Sequence, residues 1–355
     1  MKISSVEVLP VDVPIDFPYG EVRSVAVAVA RLRTDDGLEG IGHAMPLYGR
    51  NFRSMVAAIQ ELGQLLIGED ACQPERTHKK IAPSLPGGTE TTAAAALDIA
   101  VWDLTGKAAG LPLYKLAGGH RNRVAAYASL RLGRDKKAEE LPGIAASLVE
   151  QGFRAMKTNL GPDPSVAVAV NRIRAVREAI GRDVRLLVDV NFNWNPKQAI
   201  RVGQALEEFE LFWIEDPVPT ANLQGLAEVK EALRTPIMAG EALYGLTPFR
   251  ALFEARAVDL VMPDIMRVGG ITPFLKIAHM AEAFGLPLAN HLMPEISANL
   301  VAAVPHGTIV EYVPFATKLF PTCPPLDNGD LVLSDKPGHG LELDEDFARA
   351  HRLDL

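Results

Sequence analysis

The 355-residue chain is 48% hydrophobic and 23% charged, which is enough apolar material for a sizeable core. Acidic residues outnumber basic ones, 44 to 36, and the pI is about 5.6, so no basic surface advertises nucleic acid or an anionic membrane. No run approaches the roughly 18 apolar residues of a membrane span, and two cysteines, Cys72 and Cys323, make no disulfide framework and are expected as free thiols of a cytoplasmic protein.

The opening MKISSVEVLPVDV alternates polar and apolar residues and lacks the charged-then-apolar order of a signal peptide. Residues 24–34 alternate as a strand, Asp35, Asp36 and Gly37 turn the chain, and 38–44 read as the return strand of a hairpin. Residues 89–110 predict a helix of about five turns, rich in Ala and Leu, stopped at Gly110 with Pro112 beyond. Strands followed by helices make residues 1–122 an α+β unit.

From residue 123 the pattern changes. Apolar runs at 124–130, 155–160, 184–191, 212–217, 236–241, 259–264, 287–291 and 308–312 alternate with helical segments. One of those segments has Asn195 as its cap and Pro196 at its first position. Runs of continuous rather than alternating polarity suit parallel strands buried on both faces. Eight strand–helix units over residues 123–320 fit a closed (β/α) barrel of the TIM type. A doubly wound open sheet is the alternative, and the lack of a Gly-rich phosphate fingerprint after the first run counts against it. Residues 336–353 read as a strand or loop and a helix that return to the first unit, within a tail of 321–355.

Polar residues mark the run ends, and in a barrel those ends converge on one mouth. Asp189, Glu215 and Glu241 close three successive runs, 26 residues apart each time. Three converging carboxylates repel unless a cation joins them, and an all-oxygen set favours Mg²⁺, with Mn²⁺ as an alternative. The competing reading makes them helix N-caps. Asp264 and His291 close the sixth and seventh runs; a carboxylate beside an imidazole makes a competent base. His43, His78, His120, His306 and His339 lack such company and read as structural.

Lys157, on the second run, can bind an anionic substrate oxygen or shuttle a proton, or simply pair with a carboxylate. Glu311, on the last, can donate a hydrogen bond to a developing enolate if held neutral, or be a salt-bridged acid. Asn191 shares a face with Asp189 and can hold water or substrate, or form a turn. Arg267 reads as orienting a neighbouring carboxylate. A divalent metal, a His–Asp base and a lysine suit removal of the proton next to a substrate carboxylate, through an enediolate.

These motifs resemble the enolase superfamily, mandelate racemase subgroup, over essentially the whole chain. LDIAVWDLTGKAAGLPLYKLAGG (97–119) resembles its cap-to-barrel junction, and PGHGLELDEDF the C-terminal segment completing the capping domain. LLVDVN, WIEDP and AGE resemble its metal strands, implying Mg²⁺ on Asp189, Glu215 and Glu241. VMPDIMRVGG and ANHLMPEIS resemble its dyad, implying Asp264 and His291, and IVEY its electrophilic Glu, here Glu311. The resemblance also implies cap loops that choose the substrate, here about 16–24 and 45–55, and an even-numbered homo-oligomer. One position departs. The family's second strand usually reads Lys-x-Lys, and its second lysine, a base facing the His, is here Asn159, which takes no proton. The expectation is one-sided chemistry through His291: dehydration of an acid sugar, an aldonate or aldarate, to a 2-keto-3-deoxy acid, with Asn159 as a substrate hydrogen-bond partner. A racemase or epimerase, and a non-catalytic carboxylate-binding relative, are the alternatives.

Overall fold

A computed structural model describes residues 1–20, 22–46, 51–162 and 165–355, without the side chains of Pro18 and Tyr19. Strands β1 (Ile3–Tyr19), β2 (Val22–Thr34) and β3 (Glu39–Ala44) form an antiparallel sheet in that order. The helix Gly88–Ala109 lies against it and ends at Gly110, whose φ of 67° is left-handed. Its Ala93–Ala96 stretch is fully buried. The approach is so close that a Cβ on Gly42 would lie 2.1 Å from the Ala96 carbonyl oxygen, so only glycine fits there.

That helix joins the sheet to the second unit. Buried Asp98 accepts from the Thr272 amide at 2.9 Å and its hydroxyl at 2.7 Å, and lies 3.1 Å from His78 Nδ1. Asp103, one turn on, accepts from the Ile41 amide at 3.0 Å and the His339 amide at 3.2 Å.

The barrel strands are β4 (Arg123–Leu132), β5 (Ala155–Asn159), β6 (Arg185–Asp189), β7 (Trp213–Glu215), β8 (Ile237–Ala239), β9 (Leu260–Val261) and β10 (Ile309–Tyr312). β4 to β9 pair in sequence order in parallel, and β10 pairs in parallel with β4. The seventh run, 287–291, forms no strand of its own, but Leu288 bridges both Val261 and Gly307, closing the ring. The interior is packed by Tyr127, Leu187, Trp213, Met238, Met262 and Ile309. The expected cap at Asn195 is present: its side chain accepts from the Gln198 amide at 3.0 Å, with Pro196 at the start of the helix Pro196–Leu206.

The tail departs from expectation in its first part. The hairpin β11 (Leu326–Asp327) and β12 (Asp330–Val332) pairs antiparallel onto the N-terminal end of β4, so this piece belongs with the barrel. Only beyond it does the chain return to the first sheet, through a Val11–Arg352 bridge and an Arg31–Glu345 ion pair. Cys72 and Cys323 are free, as expected. Among the described residues no helix is long and apolar enough to cross a membrane.

Candidate active site

Strand register brings the expected residues to one end of the barrel. Asn159, Asp189 and Glu215 are direct partners across β5, β6 and β7. Glu241 lies two residues past β8, and Asp264 and His291 form a parallel bridge just beyond β9. All of them are buried.

Lys157 is the centre of the acid cluster. Its Nζ lies 2.5 Å from Glu215 Oε1, 2.9 Å from Glu311 Oε1 and 3.4 Å from Asp189 Oδ2. Burial opposes its charge, but Glu215 and Glu311 outweigh that and hold the ammonium well above its ordinary range. Trp213 Nε1 donates to the other Glu215 oxygen at 3.1 Å.

Glu311 accepts from Ser129 Oγ at 2.7 Å and from the Leu292 amide at 2.9 Å. Burial pushes its carboxyl up, but Lys157, His291 and the Leu292 amide bring it down to about 2. Of the two readings of Glu311, the contacts here are those of the salt-bridged acid: Lys157 and the Leu292 amide occupy its two oxygens.

His291 Nδ1 lies 2.6 Å from Asp264 Oδ2, and its Nε2 3.3 Å from Glu241 Oε2. Asp264 Oδ1 is held by the Met266 and Arg267 amides at 2.7 and 3.0 Å, which fixes the carboxylate that orients the ring. Burial disfavours the imidazolium, yet Glu241 and Asp264 raise its pKa to about 9. Arg267 Nη1 donates to the Glu241 backbone carbonyl at 2.7 Å and lies 3.8 Å from its carboxylate.

Asn159 Nδ2 donates to Asp189 Oδ2 at 3.0 Å and to Asn191 Oδ1 at 3.2 Å. Asn191 in turn donates to Asp189 Oδ2 at 2.9 Å, from a left-handed backbone with φ 50°. Asn191 thus forms the turn and hydrogen-bonds Asp189 from it.

The structure adds one carboxylate that the sequence reading passed over. The oxygens of Glu215, Asp216 and Glu241 lie within 4.8 Å of one another, a grouping that can hold a metal ion. Asp216 sits at φ 43°, which turns its side chain back toward Glu215 and Glu241, and its Oδ2 is buried without a partner. It stands beside Glu215 in WIEDP, but strand alternation sends neighbours to opposite faces, so nothing local signals it. Burial and mutual repulsion hold the Glu215 and Asp216 carboxyls well above their usual range, and raise Glu241. An orphaned carboxylate oxygen among crowded acids fits a hard divalent cation. Ser129 and Asn290, whose Oδ1 accepts from the Glu311 amide at 3.0 Å, were also not foreseen.

Two of the other histidines make structural contacts: His43 lies 2.7 Å from Glu295, and His339 2.8 Å from the Ile41 carbonyl. The cap segments 16–24 and 45–55 fall partly outside the described residues, at Glu21 and 47–50.

Comparison with known proteins places this geometry. The family model described as Mandelate racemase / muconate lactonizing enzyme, N-terminal domain, matches residues 2–118, and Enolase C-terminal domain-like matches 141–347. L-talarate/galactarate dehydratase of Salmonella typhimurium LT2 is 35% identical over 336 residues, covering 94% of this chain and 84% of that protein. L-Ala-D/L-Glu epimerase of Clostridium acetobutylicum is 31% identical over 364 residues, covering 96% and 99%. The crystal structure of L-talarate dehydratase from Polaromonas sp. JS666, complexed with Mg and L-glucarate, matches with a TM-score of 0.92 at 32% identity, over 99% of this chain and 98% of that one. Lyases and isomerases thus stand at similar distances. Because models for both halves match and relatives above 30% identity align along nearly the whole chain, the protein belongs to the enolase superfamily, in its mandelate racemase group.

Proposed function

We propose that this protein removes the proton next to the carboxylate of an acid sugar and eliminates the neighbouring hydroxyl, releasing a 2-keto-3-deoxy acid. The observation that carries the reading is Asn159. Its amide nitrogen donates to Asp189 and Asn191, so it offers no proton-accepting group on its side of the mouth. A single base remains, His291.

Asp189, Glu215 and Glu241 would hold Mg²⁺, with Asp216 grouped beside Glu215 and Glu241. Asp189 and Glu241 keep 3% and 6% exposure, and Glu215 and Asp216 have none. When bound, the ion supplies positive charge that attracts the substrate carboxylate and offsets charge gathering there.

The protein groups then act in turn. His291, oriented by Asp264, takes the C2 proton, and Asp264 stabilises the imidazolium. The electron pair left at C2 moves toward the carboxylate, with Lys157 adding positive charge beside it. As the C3–O bond breaks, His291 returns its proton to the departing hydroxyl, which leaves as water. The resulting enol tautomerises to the keto acid. The 35% identical talarate/galactarate dehydratase supports this reaction type.

Epimerisation is the second reading, favoured by the 31% identical epimerase. Incubation with Mg²⁺ and a sugar-acid library in D₂O separates the two. Keto-acid release is expected; deuterium uptake at C2 with inversion and no keto acid would replace dehydration by epimerisation. Metal binding without reaction would favour a non-catalytic relative. The reading also takes 1–122 with the returning tail as a capping unit over the barrel, 123–320.

A further inference from the structure

The turn that carries His291 is strained. Leu292 and Met293 both take left-handed backbones, φ 52° and 47°, which residues with a Cβ adopt only where their neighbours enforce it. The barrel enforces the near side of the turn. The Leu292 amide donates to Glu311 at 2.9 Å, and the Leu292 carbonyl accepts from Asn290 Nδ2 at 2.8 Å and Ser297 Oγ at 3.2 Å. Beyond that peptide the chain enters the helix Pro294–Ala303, whose ten residues are all buried.

The far side of the turn is anchored from the N-terminal sheet. Glu295, in the first turn of that helix and four residues past His291, lies 2.7 Å from Nε2 of His43 on β3. The His43 and Glu295 side chains are 1% and 3% exposed, and the His43 ring packs on Phe320 at 4.9 Å. A carboxylate at this distance accepts the imidazole N–H, and neither group has water as a substitute partner. Two residues along the same chain, the buried Met45 amide meets Met266 Sδ at 3.4 Å. Met266 is the residue whose own amide donates to Asp264 Oδ1 at 2.7 Å. Residues 43 and 45 thus touch the segments that follow His291 and Asp264.

The dyad depends on such support. His291 Nδ1 sits 2.6 Å from Asp264, while the main chains of the two residues are joined by one isolated bridge rather than a strand ladder. A strained turn on a single bridge keeps its side chain in place only if both of its ends are held.

We propose that His43 is a positioning residue for the catalytic base: through Glu295 it locks the Leu292–Met293 turn and so holds the His291 ring against Asp264. This rests on the reading of His291 as the base. His43 touches neither substrate nor metal in this role. The base is built from both units, the barrel supplying the dyad and the N-terminal sheet setting its geometry.

Three variants of the full-length, Mg²⁺-loaded protein test this: His43→Leu, the double variant His43→Leu/Glu295→Leu, and His43→Gln, whose side-chain nitrogen can stand where Nε2 does. His43→Leu leaves a buried carboxylate without its partner and should lower the melting temperature. The double variant removes both polar groups and should recover it. The first readout needs no substrate. In protein labelled with ¹⁵N-histidine, the proton held between His291 Nδ1 and Asp264 gives a far-downfield NMR signal, identified by its loss in His291→Asn. That signal should broaden or vanish in the double variant and persist in His43→Gln. The second readout is C2 hydrogen–deuterium exchange on the fastest member of a panel of hexonates and hexarates. In the double variant kcat should fall by about tenfold to a hundredfold, with KM and the Mg²⁺ Kd within about twofold, and His43→Gln should recover most of the rate.

No downfield signal in the native protein, an unchanged one in the double variant, or equal loss in His43→Gln would each overturn the assignment. Recovery of kcat along with the melting temperature would reduce the pair to the cost of an unpaired carboxylate, and a rise in KM or Kd matching the fall in kcat would mean general distortion of the site; either overturns it. A double variant that does not fold would make the pair a requirement of the fold and overturns it too. If the native protein exchanges no member of the panel, the sugar-acid reading fails, and the NMR signal still decides the role of His43.

Discussion

Asp264 and His291 face each other on a single parallel β-bridge, and the pairing holds the imidazole Nδ1 2.6 Å from the carboxylate. Asp264→Asn keeps an oxygen for the Met266 and Arg267 amides but presents an NH₂ group to Nδ1, reversing the tautomer. C2 hydrogen–deuterium exchange followed by NMR is expected to fall by about 10²–10⁴, and His291→Asn should abolish it. Exchange unchanged in His291→Asn would remove this residue from the chemistry.

Metal dependence follows from the crowded carboxylates. EDTA should stop keto-acid formation and Mg²⁺ restore it. Saturating Mg²⁺ should also raise the melting temperature, since a ligand at about 100 times its Kd stabilises by about 2.7 kcal/mol. Glu215→Gln and Glu241→Gln should weaken calorimetric Mg²⁺ binding by tenfold or more. The third ligand is decided by comparing Asp189→Asn with Asp216→Asn. Loss is expected in the former; loss confined to the latter would move the ion toward Asp216, whose Oδ2 is unpaired here.

Asn159 controls the stereochemical outcome. The native protein is expected to exchange or eliminate at C2 without inversion. Asn159→Lys restores a titratable amine one pleat beyond Lys157, and should introduce deuterium into the C2 epimer, detectable by NMR. Inversion by the native protein would show that a second acid operates from a position other than 159.

A buried histidine gives the fold a source of acid sensitivity below neutral pH. His339 is buried between the Ile41 carbonyl and the Leu341 amide, and burial lowers its pKa despite Asp103. The unfolded chain, with a histidine near its ordinary 6.5, then binds more protons than the folded one in the window below that value. Stability is full above about 6.5 and is lost as pH falls through the lower folded value. The melting temperature should drop from pH 7 to pH 5, and His339→Gln should flatten that slope. An unaltered slope would place the sensitive group elsewhere.

Strand-end chemistry proved highly legible. The runs ending in Asp189, Glu215, Asp264, His291 and Glu311 were visible because parallel barrel strands are short and apolar, so their polar termini stand out. Asp216 was invisible for the opposite reason. Its placement depends on a left-handed backbone at one residue, and no residue type requires it there. The tail division was missed because β12 pairs with β4 from more than 200 positions away, a contact without local signature.

Protonation and partnership belong to a further level. The residue types along the chain already determined a barrel with converging acids, a His–Asp pair and an asparagine where a base is usual. They could not determine that Glu311 pairs with Lys157 or that Asp216 Oδ2 is buried without a partner among the described residues. Those properties depend on burial and on which charges lie within a few ångströms, and only the folded chain sets these distances.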